Sequence, residues 1–424
     1  QPPCTYFLLP DRAIGAEGVI TALEDSGTVQ IDLVGLPVAV LENYGVNSCF
    51  TLAEAASQDV LLQIRSREGL TAKAAPVPEK LPQPLQVGQL VQEFIRVLPR
   101  NLGLIVALDP DLARIERVDA TSAFSSVPIV SGVVAAGEPG ADCLLGRAVR
   151  QESLAVQLPG GYGLFSAGGA LIPKTVGVAN EAVKSAVNRV VPHLKTLLAA
   201  KLWRLSANGG SSRLGVRATL ETVGQSNQTV ICRETSRPSQ VSETPVTSQQ
   251  GDPLPTVTLG SQIQYRLENY SDRPVYFLLL GIDAGGQAIA LYSPQFERES
   301  APASSPSPLK HRCLAPGETA IVPDPATSLN WIVSGSEGLA DIQIICSQSP
   351  FRKTLEVLLT AEHLKGEKEQ VIDLVNPLEV SQALLQDLHE ASAVPPGIIV
   401  AAPDVWALDV NAWATLSFLY QVVD

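Results

Sequence analysis

The sequence predicts an α+β multidomain protein made of a small β-barrel, a mixed α/β domain, an Ig-like β-sandwich and a C-terminal helix-strand segment. Three observations favour this class. Short apolar runs with period-two alternation, typical of strands, fill the first part of the chain and much of the second half. One long central stretch has helical periodicity. Two segments rich in proline or in small polar residues interrupt the pattern and, in a chain of 424 residues, indicate several separate cores.

Residues 15–75 predict a small SH3-like or OB-like β-barrel. Val19, Thr21 and Leu23 alternate along one strand, and a similar run follows at residues 29–33. Four prolines between residues 75 and 84 predict a stiff linker over 76–85 and a domain boundary. Residues 1–14 are expected to be the exit from a missing upstream domain, because the chain begins with Gln1 and contains no methionine.

Residues 86–233 predict a mixed α/β domain whose strand order stays open. The stretch LQVGQLVQEFIRVL fits a helix or a strand, whereas NLGLIVALD predicts a buried strand followed by a helix start at Asp109 and Pro110. Apolar residues at steps of three and four predict a helix over Val178–Leu205, which Pro192 should kink or split. A strand, SRLGVRATLE, follows this helix.

The second half of the chain predicts a linker over 234–255, a β-sandwich over 256–350, and helices and strands over 351–424 that pack on 86–233. The sandwich contains the plainest local signal, two apolar runs around Asp283-Ala284-Gly285-Gly286, which predicts a β-hairpin. Asn376 and Pro377 predict the start of a helix. The closing stretch, VWALDVNAWATLSFLYQVV, has the alternation of strands.

Composition excludes several function classes. A net charge of −13 and a pI near 4.9 disfavour nucleic acid as a partner. No apolar window reaches the ~20 residues that a membrane-spanning helix needs, so no membrane span is expected. The six cysteines lack metal-binding spacing and indicate buried free thiols in a reducing compartment. A cytoplasmic location is expected, with the periplasm left open because the true N-terminus is missing.

The candidate chemical motifs are weak, and the sequence predicts no catalytic, cofactor-binding or metal-binding residue and no cofactor. Cys232, next to Arg233, faintly resembles a peptidase nucleophile with His193 as its base, but a structural thiol within a strand is the preferred interpretation. His311 and Cys313 form at most half of a metal site. The glycine-rich stretch at residues 160–169 lacks phosphate-loop spacing and predicts a flexible turn. The one Ser-x-x-Lys motif, residues 307–310, lies in a proline-rich stretch.

Two features are candidates for partner binding. The hairpin between Tyr276 and Tyr292 would accept an added strand if it lay at a sheet edge, and would not if it lay in the middle of a sheet. Arg213 and Arg217, on one face of a strand, would contact an acidic partner or form an ordinary solvated face.

Several stretches resemble the long C-terminal extension of cyanobacterial caspase-family proteins, the orthocaspase-like cysteine peptidases. They include VLPRNLGLIVALDPDLARIERVDATSAF, AAKLWRLSANGGSSRLGVRATLE, LAPGETAIVPDPATSLNWIVSGSEGLADIQIICSQSPF and VWALDVNAWATL. Region 256–350 resembles a domain of uncharacterised function that recurs in that setting, and PPCTYFLLPD resembles the exit from the peptidase domain. The resemblance implies a parent that cleaves after basic residues with a Cys-His dyad, but none of the dyad positions maps onto this chain.

The expected function is therefore a non-catalytic C-terminal regulatory or protein-binding region of a caspase-family cysteine endopeptidase. Its partners would be the upstream caspase-like domain in cis and other proteins. The alternatives are an independent protein-binding or cell-envelope module with no peptidase partner, and an unrecognised hydrolase built from scattered cysteine, histidine and carboxylate groups.

Overall fold

The structure is a computed structural model that describes residues 16–24, 27–53, 60–77, 84–151, 157–235, 254–292, 312–327, 329–361, 369–393 and 404–424. In these ranges strand residues outnumber helical ones about two to one, and they form a closed barrel, an α/β unit and a sandwich with helices layered on it. The predicted class is confirmed at the level of a β-rich multidomain fold. None of the described helices has the length and apolar content needed to cross a membrane.

The first unit is a closed, antiparallel six-stranded barrel. Its strands are β1 (Gly18–Leu23), β2 (Val29–Asp32), β3 (Cys49–Leu52), β4 (Leu61–Glu68), β5 (Thr71–Val77) and β6 (Leu90–Pro99), with helix α1 (Val38–Glu42) between β2 and β3. The barrel closes because β1 pairs with both β2 and β6. Ile20, Val29 and Ile31 fill the interior, whereas Val19, Thr21 and Leu23 share the outer face of β1.

The proline-rich segment joins two strands of this barrel. Pro76 lies in β5 opposite Leu62, and β6, which begins at Leu90, pairs with β1 and β3 of the same sheet. The structure therefore differs from the predicted domain boundary at this segment, and the stretch left open as helix or strand is a strand. Proline content indicates local stiffness but carries no information about which strands become neighbours.

The second unit is a four-stranded sheet with two helices on one face. It contains β7 (Leu104–Leu108), α2 (Arg114–Phe124), β8 (Val130–Ala135), β9 (Cys143–Gln151), β10 (Gln157–Ser166) and α3 (Val183–Leu205). The strand order is β10-β9-β7-β8; β7 is parallel to both neighbours, and β10 is antiparallel to β9. Helix α2 begins four residues after Pro110, because the Asp109 side chain first accepts the Asp111 N–H in a tight turn.

Helix α3 connects two hydrophobic cores. Its first half packs with α2 on the sheet of the α/β unit, and its second half, including Trp203, packs on the sandwich. The helix begins later than predicted because Asn180 has a positive φ of 64°, which ends the preceding chain in a turn. Pro192 lies inside one continuous helix.

The third unit is a two-sheet sandwich. One sheet contains β11 (Val216–Thr222), β12 (Gln228–Glu234), β14 (Gln262–Asn269), β18 (Thr319–Val322) and β19 (Trp331–Ile332). The other contains β13 (Thr256–Thr258), β15 (Val275–Ile282), β16 (Ala288–Tyr292), β17 (Cys313–Leu314), β20 (Gly338–Ser347), β21 (Gln370–Asp373) and β23 (Trp413–Val423). Between them, the Tyr265 ring meets Phe418 edge-on with ring centroids 5.3 Å apart.

A helical layer covers the outer face of the second sheet. It consists of α4 (Arg352–Ala361), α5 (Pro377–Ala391) and the end of α3. Both faces of β15 are therefore buried, which explains why its residues are almost all apolar instead of alternating. Pro377 is the first residue of α5, as predicted.

The C-terminal strands join two different units. Strand β22 (Val405–Asp409) extends the barrel by pairing with β6, whereas β23 pairs with β20 along ten residues of the sandwich. Helix α5 does contact α3, so part of the segment 351–424 lies against 86–233. Strand β23 also contacts β11 and β12, which belong to residues 86–233, but it does so inside the sandwich and not on the α/β unit, because alternation indicates which side chains are buried but not which strand lies alongside.

A buried ion pair ties the units together. Arg96 of β6 has no exposed surface; its Nε and Nη2 donate to both carboxylate oxygens of Glu93, at 2.7 and 2.6 Å. Its Nη1 donates to the carbonyl oxygens of Leu205 and Ala207, each at 2.8 Å, at the end of α3. The guanidinium also lies 5.7 Å from the ring centroid of Trp413 in β23. One side chain thus connects the barrel, the α/β unit and the sandwich.

Candidate functional site

The carboxyl ends of the parallel strands β7, β8 and β9 form the strongest candidate site. The chain leaves the central strand β7, passes through α2 to β8 on one side, and then reaches β9 on the other side. In open α/β sheets, ligands bind at this edge, where the strand order reverses. The sequence contains one indication of this edge, because Asp109 and Pro110 directly follow a stretch that predicts a buried strand.

Three polar side chains converge at this edge. Glu116, in the first turn of α2, accepts a hydrogen bond from the Tyr162 hydroxyl at 2.5 Å and forms an ion pair with Arg147. Arg147 also donates to the Tyr162 hydroxyl at 3.1 Å, and its guanidinium lies 4.7 Å from the centroid of that ring. The other Glu116 oxygen accepts the Ala113 N–H at 2.7 Å, which stabilises the start of α2. The cluster fastens α2 to β9 and β10.

The charges of this cluster are fixed near neutral pH. Partial burial acts to raise the pKa of Glu116, but the hydrogen bonds from Tyr162, Arg147 and the Ala113 N–H outweigh it, so the pKa is lowered. Burial, followed by the hydrogen bond to Glu116, raises the pKa of Tyr162 to about 12. The carboxylate therefore stays ionised and the phenol stays protonated. A general acid or base needs a pKa near the working pH, so this arrangement favours holding charge in place over moving protons.

An open cavity of about 360 Å³ lies between α2 and the end of β8, and none of the three cluster residues lines it. We call it the β8 groove. Its lining comes from Leu108 at the end of β7, Pro110 in the following turn, Arg117 and Thr121 of α2, residues 133–136 and Glu138. Leu108 and Val133 contribute an apolar floor, while Arg117 and Glu138 lie at the rim. Arg117 is already engaged, since its Nη1 donates to the Pro110 carbonyl oxygen at 2.9 Å.

The proposed peptidase-like pair is separated by the fold. Cys232 lies in β12, inside a strand as predicted, and accepts a hydrogen bond from the Thr219 hydroxyl at 3.7 Å. His193 lies on α3, in the α/β unit, where burial and then the charges of Arg189 and Lys174 lower its pKa. The two side chains belong to different units.

The weak metal candidate, His311 and Cys313, lies only partly within the described residues. Cys313 is exposed in β17, and His311 lies outside the described residues, as does the Ser-x-x-Lys motif at 307–310. Among the residues that the structure describes, no group of three or more histidine, cysteine or acidic side chains could hold a metal ion.

The glycine-rich stretch is a strand and not the predicted flexible turn. Residues 157–166 form β10, and a Cβ at Gly161 would lie 2.2 Å from the carbonyl oxygen of Gly177. Glycine is required there because the backbone of the following loop approaches closely. The turn comes afterwards, at Gly169, whose φ is +81°.

The two predicted partner-binding features are internal to the fold. The hairpin of β15 and β16 is confirmed, with Gly286 at a φ of +76° in its turn, but it lies mid-sheet because β20 and β21 pair with its outer edges. Arg217 forms ion pairs across strands with Glu234 at 2.7 Å and Glu268 at 3.6 Å. Arg213 lies near the buried Glu17; burial raises the pKa of Glu17 to about 7, and the charge of Arg213 offsets only part of this rise.

Residues 256–350 match a family model described as a domain of unknown function, DUF4384. No curated protein matches the chain. No solved structure matches it either. The matched range is the one in which the sequence predicts a sandwich, but the observed sandwich also takes β11, β12, β21 and β23 from outside that range.

Proposed function

We propose that this chain is a non-catalytic, protein-binding regulatory region of a caspase-family cysteine endopeptidase. The proposal has two parts. The first is that the chain binds protein segments at the β8 groove. The second is that it acts beside a caspase-like domain in cis, in a parent that cleaves after basic residues. The finer fold assignments, an SH3-like or OB-like barrel and an Ig-like sandwich, belong to this proposal because such folds commonly serve as binding modules.

The observation that carries the first part is the groove itself, an open cavity with an apolar floor and a charged rim at the carboxyl edge of the parallel strands. Binding sites are typically concave and largely apolar with a few polar groups around them. The neighbouring groups favour binding over chemistry, since Glu116 is held as a carboxylate by Arg147 and Tyr162.

The second part is supported by the resemblance of several stretches to caspase-family extensions. The DUF4384 match over 256–350 is compatible with it, because a domain of uncharacterised function occurs in that setting. The resemblance and the DUF4384 match both concern regions that accompany a peptidase domain, and neither concerns the catalytic residues of that domain.

The coding sequence upstream of residue 1 tests the second part directly. We expect an in-frame caspase-like α/β domain carrying a catalytic histidine and cysteine. An upstream region without such a domain would refute the assignment to a caspase-family parent.

Activity of the isolated chain tests the claim that it is non-catalytic. The purified protein would be incubated with fluorogenic peptides ending in arginine or lysine, and we expect no release of the fluorophore. Turnover that disappears in Cys232→Ala but persists in the control Cys313→Ser would overturn the proposal. Both thiols are at least partly accessible, so the pair controls for a general effect of removing a cysteine.

A further inference from the structure

Strand β8 has a free edge. It is the terminal strand of its sheet and, within the described residues, pairs with β7 alone. None of its six residues, VSGVVA, is charged. Proteins usually protect such edges with charged side chains, proline or a covering segment. The opposite edge of the same sheet follows this rule, because the loop after β10 bonds back to it through Ile172 N–H to Leu164 O, at 2.8 Å.

The backbone of β8 presents hydrogen-bonding groups at this edge. The Ala136 N–H donates to Leu108 O of β7 at 3.1 Å, so the alternate residue Val134 also faces β7. The residues between them, Val133 and Ala135, face away from the sheet. The Ala135 N–H confirms this direction, because it donates to the Glu138 carboxylate at 3.1 Å instead of to a strand. The Ala135 carbonyl oxygen accepts the Glu138 N–H at 3.2 Å, so the following turn already satisfies Ala135. Val133 therefore offers both its N–H and its carbonyl oxygen to an incoming backbone.

The β8 groove lies where the side chains of an added strand would go. Val133 and Ala135 stand opposite Val106 and Leu108, which belong to the core under α2. Their side chains consequently share the α2 face of the sheet, where the groove is found. A strand placed at the usual spacing of about 4.8 Å from β8 would direct every second side chain into this space.

The lining specifies the chemistry of the occupant. The floor is apolar, which suits an aliphatic side chain. Arg117 is bound to the Pro110 carbonyl, whereas the one acidic residue of the lining, Glu138, is exposed at the rim. The whole chain also carries a net charge of −13. Charge complementarity therefore favours a segment with a lysine or arginine near its aliphatic anchor.

We propose that β8 binds an extended segment of a partner protein by strand addition, with an aliphatic anchor in the β8 groove and a basic residue beside it. This inference rests on the proposed binding function and specifies its mode. Backbone hydrogen bonds along β8 supply affinity, and the groove supplies side-chain selectivity.

The test uses a displayed library of random twelve-residue peptides selected on the full chain. We expect the enriched peptides to have an aliphatic residue and a lysine or arginine within an alternating pattern. Their affinities would be measured by fluorescence anisotropy for the wild type and three variants. Thr121→Trp fills the groove, and Ser122→Trp is an exposed control on the same helix. Val133→Pro removes the outward N–H donor of β8. Thr121→Trp and Val133→Pro should each weaken binding about tenfold or more, and Ser122→Trp should not.

Modified peptides keep the test independent of whether Val133→Pro folds. Methylating the backbone nitrogens of alternate residues removes the donors along one edge of the peptide. Strand addition predicts that one alternation abolishes binding to the wild type and the other leaves it intact. Equal effects of both, with binding still blocked by Thr121→Trp, would refute strand addition while leaving groove binding in place. A library that enriches no peptide would overturn both groove binding and strand addition, whereas the upstream sequence and the turnover assay judge the caspase-family assignment and the lack of catalysis separately.

Discussion

The buried carboxyl group of Glu17 should make the protein more stable in mild acid than at pH 8. Glu17 directly precedes β1 and is only 5% exposed, and its Oε2 accepts the Glu93 N–H at 2.7 Å. Burial raises its pKa to about 7 and the negative charge of Glu93 acts in the same direction. The hydrogen bonds from the Glu93 N–H and Ser211 and the charge of Arg213 lower the pKa only partly.

The magnitude follows from linkage between protonation and folding. The carboxyl group titrates near 4.5 in the unfolded chain and near 7 in the folded protein, so between these values the folded state binds up to one additional proton. The free energy of unfolding therefore falls as the pH rises through this window, by about 3 kcal/mol in total. Glutamine stays uncharged and keeps an oxygen to accept the Glu93 N–H. Glu17→Gln should lose this fall and exceed the wild type in stability at pH 8.

Urea unfolding at pH 5, 6, 7 and 8, followed by tryptophan fluorescence, measures the effect. The difference between wild type and variant isolates Glu17, because other carboxyl groups with a raised pKa, such as Asp387, contribute equally to both. Glu24→Gln is the matched control in the same barrel. The Glu24 pKa is lowered by hydrogen bonds from Lys73 and Thr28, so this variant should keep the wild-type slope. If Glu17→Gln loses stability between pH 5 and pH 8 as steeply as the wild type, the linkage argument is wrong.

Three further outcomes follow from buried contacts. Arg96→Met should lower the free energy of unfolding by about 3–5 kcal/mol, because it leaves the Glu93 carboxylate buried without its partner. Adding Glu93→Gln to this variant should restore part of the lost stability, as measured by urea unfolding. Gly161→Ala should cost about 1–3 kcal/mol because the added Cβ meets a backbone oxygen, whereas Gly168→Ala, whose nearest neighbour is 3.8 Å away, should be close to neutral in thermal melts. Iodoacetamide followed by peptide mapping should modify the exposed Cys313 well before the buried thiols, whose pKa burial raises to about 12, at Cys49, Cys143 and Cys346.

Elements whose signals are local were predicted well from the sequence. The hairpin turn is specified by its own residues: Asp283 Oδ1 accepts the Gln287 N–H at 2.7 Å, and Gly286 takes the left-handed conformation. The start of α5 is likewise specified by Pro377, whose fixed φ suits a first helical turn. In each case the atoms that determine the structure lie within a few residues of one another.

Assignments that depend on distant partners were predicted poorly. Strands β6 and β11 were both assigned to the α/β region, yet β6 completes the barrel and β11 lies in the sandwich. Period-two alternation reveals which face of a strand is buried, but several sheets can bury the same face. The proline-rich stretch misled for a similar reason, since it joins two strands of one barrel.

The residues of the candidate site could not be grouped from the sequence, because the fold brings them together from separate elements. Glu116, Arg147 and Tyr162 come from a helix and two strands, and only the register of β9 against β10 brings Arg147 opposite Tyr162. The free edge of β8 was equally hidden, because its neutral sequence resembles that of a strand buried mid-sheet. Asp109 and Pro110, after an apolar run, were the one available sign that a carboxyl edge with a functional loop begins there.

The segment that matches DUF4384, residues 256–350, should not fold as an isolated fragment. Strand β14 pairs along seven residues with β11, and β20 pairs along ten with β23; both partners lie outside the segment. Phe418, which packs on Tyr265 in the centre of the core, would also be lost. The fragment would expose two long backbone edges and the apolar faces that these strands cover, which folding of a small domain cannot offset. Residues 183–424 retain these partners together with α3. We expect cooperative thermal unfolding from 183–424 and none from 256–350; a dispersed amide spectrum and a cooperative transition from the shorter fragment would show that the sandwich closes without the strands on either side.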